Sequence, residues 1–119
     1  MSLLFLQYPA CSTCRKAKAG LDNNKTEYTD RHMKDQNPSA DELKTWHAKS
    51  GLPLKKFFNT SGMLYKEMKL KDKLPSMSEE EQIKLLASDG MLVKRPLLIG
   101  DDFVLVGFKE DQWKEVLNQ

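Results

Sequence analysis

From Met1 to Tyr8 the chain is an apolar run without clear alternation, closed by Pro9, the pattern of a short strand buried on both faces. Cys14, Ala17 and Leu21 then recur at helical spacing, with Arg15, Lys16 and Lys18 left for the solvent side. The spacing predicts a helix running to about Leu21 and stopped by Asp22, Asn23 and Asn24. Residues 26–30 alternate and include β-favouring Thr and Tyr, which predicts a second strand after a helical crossover. Asn37 and Pro38 break the chain, and Ser39 followed three residues on by Glu42 has the form in which two side chains satisfy the free amides of a helix start. Ala40, Leu43 and Trp46 line one face of the helix that follows, which ends near Gly51. Residues 52–75 carry a weaker pattern, read as short helical pieces around a turn at residues 59–62. Ser78 and Glu81 repeat the capping pattern, and Ile83, Leu86 and Ala87 form the stripe of a helix closing at Asp89 and Gly90. Residues 97–99 and 103–106 read as a β-hairpin turning at residues 100–102, and Trp113, Val116 and Leu117 mark a last helix. The order is β-α-β, a block of helices, then β-β-α, without repeats or low-complexity segments.

A length of 119 residues against a usual domain of about 100–200 leaves room for a single domain. With 39% hydrophobic and 30% charged residues the composition is that of an ordinary globular protein. A net charge of +2 is too small to imply direct nucleic-acid binding through bulk electrostatics. No run approaches the roughly 18–20 apolar residues of a membrane span, and the N-terminal run is too short and lacks the basic leader of a signal peptide. The chain therefore reads as cytoplasmic, with no membrane partner.

In a reducing compartment the placement of the two cysteines, Cys11 and Cys14, is the informative feature, because a Cys-x-x-Cys pair there is redox-active or metal-binding before it is a permanent bridge. Cys11 falls where a strand leads into a helix, and the free amides and dipole of a helix N-terminus favour the thiolate, the nucleophilic form. Cys14, one turn along, is positioned to resolve a Cys11 adduct. Two plainer readings stand beside this: free cysteines packed as small hydrophobes, and a zinc site, for which only His32 and His47 are further candidates, at a spacing that matches no usual finger. Arg95 and Pro96, directly before the strand at residues 97–99, are the second chemical clue, with a solvated or ion-paired arginine as the plainer alternative.

These residues resemble the ArsC/Spx family, which comprises glutaredoxin-linked arsenate reductases and Spx/MgsR-type regulators that bind RNA polymerase. The carriers are residues 8–17 around Cys11 and Cys14, the helix start at residues 39–43, the turn at residues 58–62, and Lys94, Arg95, Pro96, Leu97 and Leu98. The resemblance implies an α/β fold, thioredoxin/glutaredoxin-like, with a mixed four-stranded sheet. Its core is expected at about residues 1–37 and 91–119, and a helical insertion at about residues 38–90. It implies a cis Arg95–Pro96 bond facing the reactive cysteine, Cys11 as nucleophile, Cys14 as resolving thiol and Arg95 as a nearby cation, with Ser12, Thr13 and Pro96 positioning a thiol, disulfide or oxyanion substrate. No bound cofactor is implied, only an external thiol reductant such as thioredoxin or glutathione. Of the three arginines with which the reductases surround the oxyanion, only Arg95 is matched; the others fall at about Asn59 or Thr60 and near Gly107 and Phe108. In the regulators Cys-x-x-Cys is an oxidation switch, and a glycine matching Gly51 contributes to binding the C-terminal domain of the RNA polymerase α subunit; Gly51 also has a plain reading as a helix cap. Six lysines between residues 55 and 73, against Glu67 and Asp72, read either as a solvated face or as a surface for an acidic partner.

Overall fold

The computed structural model describes residues 3–117, so Met1 and Ser2 of the expected first strand lie outside the described residues. Strand β1 (Leu4–Gln7), helix α1 (Ser12–Asn23) and strand β2 (Thr29–His32) form the first unit. Helices α2 (Ala40–Ser50), α3 (Met63–Glu67), α4 (Leu70–Lys73) and α5 (Glu79–Ser88) follow, with 3-10 turns at Leu54–Phe57, Leu74–Ser76 and Gly90–Leu92. Strands β3 (Leu97–Ile99) and β4 (Val104–Val106) and helix α6 (Glu110–Leu117) complete the described chain. The four strands lie in the order β2-β1-β3-β4; β1 is parallel to β2 and antiparallel to β3, and β3 is antiparallel to β4. This is the expected α/β, thioredoxin-like arrangement with a mixed four-stranded sheet.

Alternate residues of a strand face opposite sides of a sheet, and here both sides are covered. Leu3, Phe5, Leu98 and Leu105 pack with Ala17 and Leu21 of α1 and Trp113 of α6. Leu6, Leu97, Ile99 and Val104 face the other way, onto a larger cluster with Leu43 and Trp46 of α2, Phe57, Phe58 and Leu86. The apolar run of β1, residues 4–6, follows from burial on both faces, and Gln7, buried at the end of the strand, donates to Asp30 Oδ1 at 2.9 Å. The helical block enters and leaves the sheet at one place: the Asn37 amide donates to the Ala87 carbonyl at 2.6 Å, and Gly90 lies so close to the Met33 carbonyl that a Cβ would collide with it.

Both predicted capping boxes are formed, at Ser39 with Glu42 and at Ser78 with Glu81. Gly51 ends α2 in the left-handed region, φ 69°, where a side chain would be strained. One element is displaced. The second strand was expected at residues 26–30 and occupies Thr29–His32. Lys25 turns through φ 53° and the Thr26 amide bonds back to the Leu21 carbonyl at 3.0 Å, so the residues after it are spent leaving the helix. Tyr28 instead sets its ring edge-on to Phe5 at 5.6 Å. Because β2 is an edge strand with Thr29 and Asp30 exposed, its position follows pairing to β1 rather than side-chain propensity. No helix of the described residues is long and apolar enough to cross a membrane.

Candidate active site at the start of helix α1

Cys11 is the residue from which α1 springs. Its backbone is extended, φ −85° and ψ 122°, and no side chain caps the helix, so the first-turn amides are open toward its sulfur. The Cys11 amide is tied to the Tyr8 carbonyl at 2.9 Å, and the Arg15 amide donates to the Cys11 carbonyl at 3.1 Å, which fixes the turn between β1 and α1. Cys11 is half-buried, whereas Cys14, one turn along, has no exposed surface. The Tyr8 amide points at the Cys14 sulfur, 3.5 Å away.

The two thiols are driven in opposite directions. Burial alone would raise the Cys11 thiol, but hydrogen bonds from the amide and thiol of Cys14, together with a hydrogen bond and the positive charge of Arg95, outweigh it and hold its pKa below the ordinary value. Cys14 is pushed up to about 12, first by burial and then by the neighbouring Cys11 sulfur, against the opposing pull of the Tyr8 amide and Arg95. The pair is thus a thiol eased toward ionisation in the mouth of a pocket, backed by a thiol held against it.

Arg95 is supplied from the other end of the chain. The Arg95–Pro96 bond is cis, and the guanidinium lies over the Tyr8 ring, 5.2 Å from its centroid. Nη1 reaches the Met91 sulfur at 3.9 Å, and among the described residues Arg95 makes no ion pair. The segment preceding it is held by the helical block: the Lys94 amide donates to the Phe57 carbonyl at 2.7 Å and the Asn59 amide to the Leu92 carbonyl at 2.8 Å. These bonds set Asn59 opposite Lys94 and Arg95.

The pocket so formed has a volume of about 330 Å³; Cys11, Thr13, Asn59, Lys94, Arg95 and Lys109 are among its walls, and no carboxylate is. Of the residues singled out from sequence, Cys11, Thr13 and Arg95 meet here. Cys14 lies behind Cys11, Pro96 is buried behind Arg95, and Ser12 opens α1 exposed to solvent without lining the pocket. Gly51 caps α2 with open space around it and does not line the pocket either. Asn59, Gly107 and Phe108, at the positions where the resemblance puts two further arginines, do line it.

Sequence reasoning missed Lys94 and Lys109, which place two ammonium groups where it counted only missing guanidinium groups. Gly107 allows this: its φ is 77° and a Cβ there would stand 3.2 Å from Lys94 Cε. Lys109 stands directly after Gly107 and Phe108 in the chain, but only the folded crossing of segments brings it to the pocket. The histidines are elsewhere: His32 sets its ring edge-on to Tyr8 at 5.6 Å and His47 edge-on to Phe57 at 5.9 Å. Among the described residues no group of three His, Cys, Asp or Glu is placed to hold a metal ion.

The ArsC family model matches residues 6–116. Over 115 residues the chain is 59% identical to Uncharacterized protein YusI of Bacillus subtilis, covering 97% of this chain and 98% of that one. It is 27% identical over 106 residues to Regulatory protein MgsR of the same organism, covering 89% and 82%. Among solved structures, an ArsC family related protein from Bacteroides fragilis superposes with a TM-score of 0.94 at 62% identity, covering 98% of each chain. A possible arsenate reductase from Streptococcus mutans does so with a TM-score of 0.86 at 46% identity, covering 94% of this chain and 97% of that one.

Proposed function

The chain belongs to the ArsC family, and on that premise we propose that it is a thiol–disulfide redox protein in which Cys11 is the nucleophile, Cys14 the resolving thiol and Arg95 the cation that holds Cys11 ionised. The observation that carries this reading is the asymmetry of the pair: a half-exposed Cys11 with a lowered pKa in a cationic pocket, in front of a buried Cys14 whose thiol keeps its proton. The Cys11 thiolate attacks one sulfur of a substrate disulfide, forming a mixed disulfide and expelling the other sulfur as a thiolate. Once Cys11 is bonded it carries no charge, so one of the influences that kept Cys14 protonated is gone. Cys14 gives up its proton and attacks the Cys11 sulfur. The Cys11–Cys14 disulfide forms, and the second substrate thiolate leaves and takes up the proton. Two electrons pass from the protein to the substrate, and an external thiol reductant of the thioredoxin or glutathione type returns them.

We place a disulfide ahead of arsenate as the substrate. Lys94 and Lys109 supply charge to the pocket, but an ammonium group lacks the planar, bidentate fork with which guanidinium groups grip an oxyanion. The test is turnover of a mixed disulfide and of arsenate, each with a recycling thiol reductant. Disulfide turnover that disappears in Cys11→Ser is the expected result, together with a Cys11-linked adduct trapped by mass in Cys14→Ser. Turnover no higher than that of Cys11→Ser sinks the reading.

A second reading is favoured by the likeness to MgsR: a redox-sensing regulator in which the same pair is a switch and the output is binding to the C-terminal domain of the RNA polymerase α subunit. Gly51, exposed at the end of α2 beside the exposed Leu52, is the surface it would use. A pull-down with that domain in both redox states decides it, and absence of binding in both removes it.

A further inference from the structure

Beside the Cys11 pocket lies a second groove, of about 450 Å³, lined by Leu52, Lys55, Lys56, Phe58, Val104 and Gln112 among others. The two depressions share Lys94, Val106 and Lys109 as walls, so they adjoin, and together they make a channel-like path leading away from Cys11. Its floor is the outer side of β4, the strand at the edge of the sheet.

The ladder between β3 and β4 determines which backbone groups face that channel. Leu97 stands opposite Val106 and Ile99 opposite Val104, while Gly107 donates to Pro96 at 2.8 Å and Gly100 to Phe103 at 2.9 Å. In an antiparallel ladder hydrogen-bonded pairs alternate with pairs whose N–H and C=O groups point the other way. Val104 and Val106 are of the second kind, so their amides and carbonyls point away from β3. Among the described residues these groups make no hydrogen bond.

Lysines beside an open edge also discourage strand pairing between like copies, and the lining here says what they admit. Lys55, Lys56, Lys94 and Lys109 border the channel, and no carboxylate does; Glu110 of α6 faces a different groove, against α1. A second copy of this chain would bring the same lysines to the same edge and be repelled. An extended segment with carboxylates is attracted, can complete the sheet through its main chain, and has Leu52 and Phe58 for an apolar side chain.

We propose that the β4 edge docks an extended acidic segment of a protein substrate, paired through its backbone to Val104 and Val106 and running toward Cys11, so that the substrate's disulfide is delivered to the thiolate. This rests on the redox reading above and names its substrate class: a disulfide in an acidic polypeptide strand rather than a free small molecule.

The probe is a short peptide alternating glutamate and valine, with one central cysteine held as a mixed disulfide with thionitrobenzoate. Attack by Cys11 on the peptide sulfur releases thionitrobenzoate, which is coloured; Cys14 then closes the protein disulfide and frees the peptide thiol. Two matched peptides carry lysine for glutamate, or N-methyl groups on the backbone amides. At low salt we expect the acidic peptide to react roughly tenfold or more faster than the basic one, as for steered encounters, with the gap closing at high salt. N-methylation is expected to slow the acidic peptide several-fold. Lys55→Glu combined with Lys56→Glu, at exposed positions outside the Cys11 pocket, should abolish the preference while leaving attack on a small symmetrical disulfide unchanged.

Binding is read independently of reactivity from the amide resonances of Val104 and Val106 in Cys11→Ser, titrated with the cysteine-free acidic peptide. Shifts at those residues support the proposal. Equal rates for acidic and basic peptides, no effect of N-methylation, or amides that stay still overturn it, and shifts that follow the protein's own concentration assign the edge to a second copy instead. Attack on the small disulfide without a peptide preference leaves the redox reading standing and removes this one. Failure to attack any disulfide removes the redox reading, and the amide titration alone then decides the edge.

Discussion

At the residue scale the chemistry depends on few contacts, and Arg95 is the most informative. Its hydrogen bond and charge both lower the Cys11 pKa, and it has no carboxylate partner among the described residues to divide its effect. Arg95→Ala is expected to move the alkylation–pH profile of Cys11 upward and slow alkylation at neutral pH. Arg95→Lys should restore part of the effect, since the charge returns but the planar fork does not. An unchanged profile in Arg95→Ala would leave the helix start and Cys14 as the sole causes. Much of this was legible in the chain. Cys11 and Cys14 announce themselves by spacing, and Arg95 by its place before a proline and a strand. Asn59 and Lys109 were not identified as site residues, because membership of the pocket depends on a crossing of segments: the Asn59–Leu92 and Lys94–Phe57 bonds and the left-handed turn at Gly107. No local pattern encodes those contacts.

At the scale of elements, the joint between β2 and α2 carries the strongest ion pair. Arg31 grips Glu42 with both nitrogens, Nη1 to Oε2 at 2.6 Å and Nη2 to Oε1 at 2.9 Å, and Glu42 Oε1 also accepts from the Ser39 amide at 3.0 Å. The hydrogen bond from Arg31 is the largest cause that brings the Glu42 carboxyl from 4.5 to about 2. A carboxyl lowered by folding contributes stability that is present above its unfolded value and is lost as pH falls through its folded one. The contribution should therefore be complete above about pH 4.5 and gone near pH 2. With the Glu42 side chain 35% exposed, solvent screening leaves about 1 kcal/mol. Glu42→Gln retains an acceptor for the capping box, so it isolates the charge. Urea denaturation should show the variant weaker by about that amount at pH 7 and equal to wild type near pH 2; a gap independent of pH would assign the effect to packing. The capping boxes themselves were plain in the sequence, since Ser-x-x-Glu is local chemistry. The displacement of β2 was not, because an exposed edge strand takes its register from its neighbour.

For the molecule as a whole, the chain enters and leaves the helical block through one neck. Residues 33–37 lead into it and residues 87–90 lead out, held together by the Asn37–Ala87 bond and by Gly90 against Met33. A methyl group at residue 90 has no room and its obstacle is backbone, which cannot rotate away. Gly90→Ala should lower stability by about 1–3 kcal/mol, seen as a lower denaturation midpoint with the sheet and both helical faces failing together. A midpoint unchanged by the substitution would mean that the neck yields easily. The larger apolar cluster lies on the side of this block, and a short 3-10 turn, Gly90–Leu92, separates the neck from Lys94 and Arg95.

The pairing of β1 with β3 brings Leu6 opposite Leu97, and this has a consequence for how the protein comes into being. Synthesis delivers Cys11 and Cys14 early and Arg95 late, so the cysteines emerge before the cation that faces Cys11 in the folded chain. The part of the Cys11 shift that Arg95 supplies arrives only when the ladder closes across the sheet, so on the redox reading full reactivity marks completed folding. Pulsed alkylation during refolding should find Cys11 acquiring its fast phase in step with native tryptophan fluorescence, and fast alkylation that precedes it would show the helix start to be sufficient.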